Sequence, residues 1–117
     1  MMTELENNLN ELNRLIILYK YDEALNRFYD DEIITYENEN PPIVGLIAYK
    51  ESAKKIFYEN VTNYSAELVD AIIGEDTTVC QWHYKFDHKI WGHWDKMQLS
   101  FQRWKNGKII HEQHYYK

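Results

Sequence analysis

The Asn106-Gly107 pair constrains this chain most. Both residues tolerate the positive φ that a type I′ turn needs, so the pair predicts a β-hairpin between the alternating segments that flank it. The first strand, Lys96 to Lys105, divides by parity. Met97, Leu99 and Phe101 share one face, and Gln98, Ser100, Gln102 and Trp104 share the other. The second strand, Lys108 to Tyr116, places Glu112, His114 and Tyr116 together, opposite His111, Gln113 and Tyr115. A ribbon with one apolar stripe and one polar, ionisable face has to put that second face against something other than a dry core.

Upstream, the pattern is helical before it is extended. Thr3 to Glu6 has the form of a capping box, and Leu5, Leu9, Leu12, Ile16 and Tyr19 recur at steps of four and three along one helix face. Asp22 is placed to cap a second, short helix through Tyr29. Ile33 to Glu37 reads as a strand, Asn38 to Pro42 as a loop broken by two prolines, and Leu46 to Asn60 as a third helix. Thr62 to Ile73 and Thr77 to Asp87 read as long strands around the turn at Gly74, with Cys80, Trp82, Tyr84 and Phe86 sharing one side of the second. His88 to Asp95 reads as a connecting loop. Helices first and strands last predict an α+β fold, with three N-terminal helices packed on one face of an antiparallel meander.

Charge and cysteine content exclude several classes. The net charge is −6, and residues 1–60 carry 12 acidic and 6 basic side chains. No Lys/Arg cluster offers a footprint for nucleic acid. The lone Cys80 has no internal disulfide partner and no zinc-type spacing. No apolar run approaches membrane-spanning length and no secretory leader is evident, so the expectation is a cytoplasmic protein with neither nucleic-acid nor membrane partner. His83, His88 and His93 match no zinc motif, and no metal or other cofactor is implied.

The succession helix, helix, Phe28-Tyr-Asp-Asp-Glu-Ile33, a Pro-Pro loop closing on Ile43-Val-Gly45, helix, long strands and Trp104-Lys-Asn-Gly-Lys-Ile109 resembles the nuclear transport factor 2-like superfamily, in its SnoaL-like and ketosteroid isomerase-like branch. The resemblance spans the whole chain, read as one domain over 1–117. It implies a cone-shaped, strongly bent antiparallel β-sheet wrapped around the helices (a cystatin-like fold), with one deep pocket. It also implies a homodimer through the outer sheet face, where Met97, Leu99 and Phe101 would lie.

On that frame, Glu37 stands where the isomerase branch carries its catalytic carboxylate, whose pKa a dry pocket would raise, while the polar stretch of Glu39 and the neighbouring Asn residues fits a solvated loop glutamate instead; Tyr29 stands at a pocket tyrosine. Two features depart from that branch. The matching part of the first helix, near Arg14, holds no tyrosine, and Ser100 stands where a protonated acid would complete the oxyanion hole, so steroid isomerisation by the same apparatus is not expected. Glu112 and His114 are the second pair of catalytic candidates. Two residues apart on a strand, they lie about 7 Å apart along the backbone, which predicts a shared ligand rather than a direct bond. Tyr29, Trp82, Tyr84, Gln98, Ser100, Gln102, Trp104 and Tyr116 are the expected ligand-binding wall. The inner polar groups either satisfy one another or line a wet cavity. Correspondingly, the chain is either an acid–base enzyme of the lyase or isomerase type, or a non-catalytic binding or interaction module of the same fold.

Overall fold

The computed structural model describes residues 2–117. Helix α1, Glu4–Ile17, starts where Thr3 accepts the Glu6 amide on its hydroxyl at 3.1 Å, and it buries Leu9, Leu12, Leu15 and Ile16. Helix α2, Tyr21–Phe28, has Lys20 rather than Asp22 before its first turn; Asp22 lies within that turn and forms no side-chain cap. Strand β1, Tyr29–Glu37, follows without a loop, so Asp30, Asp31 and Glu32 belong to a strand. A two-residue strand β2, Ile43–Val44, leads through Gly45 (φ 92°) into α3, Leu46–Ile56. This last helix stops short of Asn60. The Asn60 carboxamide donates to the carbonyls of Lys55 and Ile56 that the helix leaves free, and a single 3₁₀ turn, Tyr58–Asn60, carries the chain into the sheet.

Strands β3 (Val61–Ile73), β4 (Thr77–His88), β5 (Gly92–Lys105) and β6 (Lys108–Tyr116) form an antiparallel meander. The six-stranded order is β2-β1-β6-β5-β4-β3. The sheet is mixed rather than wholly antiparallel, because β6 returns beside β1 in the same direction, pairing Thr35 with Glu112 and Glu37 with His114. The expected His88–Asp95 loop is only a tight turn. His88 is buried, its Nδ1 accepts the amides of Ile90 and Trp91, and its Nε2–H is thereby left to donate to the Ile56 carbonyl at 2.6 Å. Gly92, paired with His88, closes the turn at φ 80°, and the His88 imidazole holds it in place.

Asn106 and Gly107 have φ of 53° and 78°, the paired positive values of the expected turn. Beyond it β6 is bulged: Trp104 pairs with Ile109 and Arg103 with His111, which leaves Ile110 unopposed. A bulge shifts parity by one residue. Ile109 and Glu112, three apart, therefore both point inward and are fully buried. Inward side chains of β4 (Cys80, Trp82, Tyr84 and Phe86) pack with α1 and α2 in one core.

Candidate active site

The curled sheet and the helices enclose a cavity of about 300 Å³. Its polar wall is a product of register. At the deepest level Thr78, Gln102, Glu112 and Thr35 are opposite one another across β4, β5, β6 and β1. At the next level stand Cys80, Ser100, His114 and Glu37, and beyond them Trp82, Gln98 and Tyr116. Four strands thus present three rows of inward side chains, of which Thr78 and Cys80 stand behind the cavity wall, and the chemistry is concentrated on β5 and β6. The opposite wall is apolar, from Leu12 and Ile16 of α1, Ala24 and Leu25 of α2, and Tyr49, Ala53 and Phe57 in and after α3.

Glu112 is fully buried and fully engaged. Its Oε2 accepts from the Tyr29 hydroxyl at 2.5 Å and the Gln102 carboxamide at 2.7 Å, and its Oε1 from His114 Nε2 at 3.0 Å. The expectation that Glu112 and His114 are too far apart to bond is therefore wrong. Backbone spacing set that limit, whereas both side chains are long enough to lean together. On its other side His114 Nδ1 meets Ser100 Oγ at 2.9 Å and Gln98 Nε2 at 3.1 Å. Burial alone would push the Glu112 carboxyl up, but the His114 charge and three hydrogen bonds outweigh it and hold the group below its ordinary value. Burial likewise pushes His114 down, and Glu112, with Glu37 nearby, outweighs it and leaves the imidazole above its ordinary value. Burial, reinforced by the Glu112 charge, drives Tyr29 and Tyr49 well up, so both phenols stay protonated. Tyr49 stacks on Tyr29, ring centroids 5.8 Å apart.

Glu37 is exposed, at the mouth, and accepts the Tyr116 hydroxyl at 2.6 Å. Of the two alternatives for it, a dry carboxylate and a solvated glutamate, it is the solvated one, because β1 ends there. Trp91 and Trp94 lie at the same end, Trp94 against the Tyr116 ring at 5.4 Å. Tyr29, Trp82, Tyr84, Gln98, Ser100, Gln102 and Tyr116 all line the cavity. Trp104 does not: its indole N–H donates to Thr78 at 2.9 Å and its ring packs edge-on to Phe28, closing the narrow end of the core. The sequence reading missed Thr35 as a wall residue. It also missed Tyr58, which sits in the 3₁₀ turn and was counted as part of a helix. His83 and His93 instead make separate surface pairs with Asp95 and Asp87.

No family model matches the sequence, and no curated protein is significantly similar to it. Solved structures are. A Mesorhizobium loti protein provisionally named a SnoaL-like polyketide cyclase superposes with a TM-score of 0.83 at 23% identity, covering 98% of this chain and 100% of that one. An NTF2-like protein of unknown function from Burkholderia pseudomallei gives 0.83 at 8% identity, covering 99% and 92%. A protein with a ketosteroid isomerase-like fold from Catenulispora acidiphila, solved in complex with trimethylamine, gives 0.69 at 14%, covering 80% and 73%. The chain therefore has the nuclear transport factor 2-like fold.

Proposed function

We propose that the cavity is the active site of an acid–base enzyme, of the lyase or isomerase type, acting on a small organic ligand. The observation that carries this reading is the buried Glu112–His114 pair on the wall of a cavity that opens to solvent. Burying such a pair costs several kcal/mol per ion before any repayment, and apolar residues of similar size would hold the fold as well. A carboxylate and an imidazole with opposed shifts, placed beside a pocket, supply proton transfer. Glu37 at the mouth is a second carboxylate within reach of the same ligand. That a protein of this fold was solved with a small organic molecule is in keeping with the reading.

The cavity tryptophans report occupancy directly. A panel of small cyclic ketones and hydroxy acids should quench the emission of Trp82, Trp91 and Trp94 and move the ring resonances of His114. Binders should exchange carbon-bound hydrogen for deuterium faster with the protein than without it, and His114→Gln should slow that exchange on the order of a hundredfold. Silence across the panel, in both emission and His114 resonances, would sink the site. It would favour the other reading, a non-catalytic binding or protein-interaction module, which draws its support from the complete mutual satisfaction of Glu112 and His114.

The same reading includes a homodimer through the outer sheet face. Met97 and Leu99 are each 44% exposed there, and Ile72 and Tyr115 extend the stripe at 65% and 52%. Contiguous apolar surface of this kind marks an interface, and burying each side chain is worth roughly 1.5–3 kcal/mol. Sedimentation equilibrium should give a dimer for the wild type and a monomer for Phe101→Glu; an unchanged mass would remove the dimer. No helix among the described residues is long and apolar enough to cross a membrane, and the lone buried thiol of Cys80 suits a reducing compartment, so the reading places the protein in the cytoplasm.

A further inference from the structure

The Glu112–His114 pair continues one step further, to a hydroxyl. Ser100 is directly opposite His114 in the β5–β6 register, with Oγ 2.9 Å from Nδ1. Because Glu112 Oε1 engages Nε2 at 3.0 Å, that nitrogen keeps its proton in the neutral ring and Nδ1 presents a lone pair to the Ser100 hydroxyl. Carboxylate, imidazole and hydroxyl are therefore in line, each link within hydrogen-bond reach. This constellation activates an otherwise weak nucleophile and is recognised by geometry rather than by fold or chain order. Ser100 is only 2% exposed, yet its side chain lines the cavity, so it is reached through the pocket rather than from bulk solvent. The Gln98 carboxamide nitrogen reaches the same Nδ1 at 3.1 Å, so one of its N–H groups shares that lone pair with Ser100, and the other is the donor for a developing oxyanion beside Ser100.

We infer that Ser100 is a nucleophile that accepts acyl groups from small esters, with His114 as its base, Gln98 as the oxyanion donor and Glu112 as the positioning residue. Ser100 Oγ bonds to the acyl carbon while its proton passes to His114 Nδ1. The tetrahedral intermediate collapses with cleavage of the ester C–O bond, and the Nδ1 proton goes to the departing alcohol oxygen. Water, deprotonated by the same nitrogen, then attacks the acyl-serine, releases a carboxylic acid and restores the hydroxyl. No oxidant, reductant or metal enters the balance. The inference rests on the cavity admitting a ligand, as the proposed function does, but not on lyase or isomerase chemistry.

The probe is p-nitrophenyl acetate in excess over the protein, with p-nitrophenol release followed in rapid mixing and the acetyl group located by peptide mass spectrometry. The expected result is a burst equal to the protein concentration and an acetyl group on Ser100. The burst rate should rise with pH to a plateau above the ordinary histidine range, since the base must be neutral and Glu112 holds its proton. Ser100→Ala should abolish the burst and Ser100→Cys should restore it. His114→Gln should slow it on the order of a hundredfold or more. Near-ultraviolet circular dichroism checks that each variant is folded. An acetyl group only on lysines or the N-terminus, or a full burst from Ser100→Ala, would overturn the inference. Quenching of the cavity tryptophans by p-nitrophenol tells the two readings apart. Quenching without acetyl-Ser100 leaves the ligand site standing and ends this inference; neither signal ends both.

Discussion

Glu112→Ala should lower the unfolding free energy by about 3–5 kcal/mol, the range seen when one partner of a buried ion pair is removed. The loss has identifiable parts. Tyr29, Gln102 and His114 each donate to this carboxylate, and all three donors would lose their acceptor at once. A buried donor left unpaired costs about 1–3 kcal/mol, but the adjoining cavity can admit water to some of them, which keeps the sum below three full penalties. Glu112→Gln keeps the volume and some of the hydrogen bonding, so it should cost less than the alanine variant while still removing the charge. Urea unfolding at neutral pH measures both. His114→Ala and the double variant complete a cycle, and the double variant should be much less damaging than the sum of the singles, because the two residues share one interaction. Additive losses, or an alanine variant within about 1 kcal/mol of wild type, would mean that water already relaxes the pair and that the site is softer than its geometry.

How much of this was legible in the sequence depended on range. The parity of β5 was readable because a period of two is a local property, and Gln98, Ser100 and Gln102 do share the inner face. The turn at Asn106-Gly107 was readable because few dipeptides tolerate paired positive φ. The bulge at Ile110 was not: Lys108 to His111 contains no Gly or Pro to announce it, and it is fixed by Ile109 and Glu112 both finding places inside. The tightness of the turn at His88 was hidden for a different reason: Gly92 supplies the positive φ, but the hydrogen bonds that the buried His88 ring accepts from Ile90 and Trp91 have no sequence signature. Pairing of β1 with β6 joins segments some seventy residues apart in the chain, a long-range choice that propensity and periodicity do not encode. It is also the pairing that sets Glu37 beside His114, so the least legible contact in the fold is one that assembles the site. Trp104 shows the converse error. It has the parity of the cavity wall, but the wall ends two residues earlier, at Gln102.

Stability should be greatest in mildly acidic solution, and the excess should vanish in His114→Gln. The signs follow from the two shifts. Glu112 lies below its ordinary 4.5 when folded, so its contribution is present above pH 4.5 and is lost as pH falls through the folded value. His114 lies above its ordinary 6.5, so its contribution is full below pH 6.5 and is lost as pH rises through the folded value. The window in which both hold is about pH 4.5 to 6.5. The two flanks are one interaction seen from its two partners, and they count once. On either side the slope cannot exceed that of a single proton, about 1.4 kcal/mol per pH unit. Surface carboxylates also contribute, Asp87 and Asp95 being held below their ordinary value by hydrogen bonds from Asn63 and His93 and from His83, so the informative quantity is the difference between wild type and His114→Gln, measured by urea unfolding across the acid and alkaline range. Those surface groups cancel in the difference and the buried pair remains. A difference that peaks in mildly acidic solution and falls on both sides identifies a pair that holds a single proton through folding across that window. A flat difference would mean that folding leaves the proton affinities of Glu112 and His114 unchanged, and the displacement of the acylation plateau beyond the ordinary histidine range would then disappear with it.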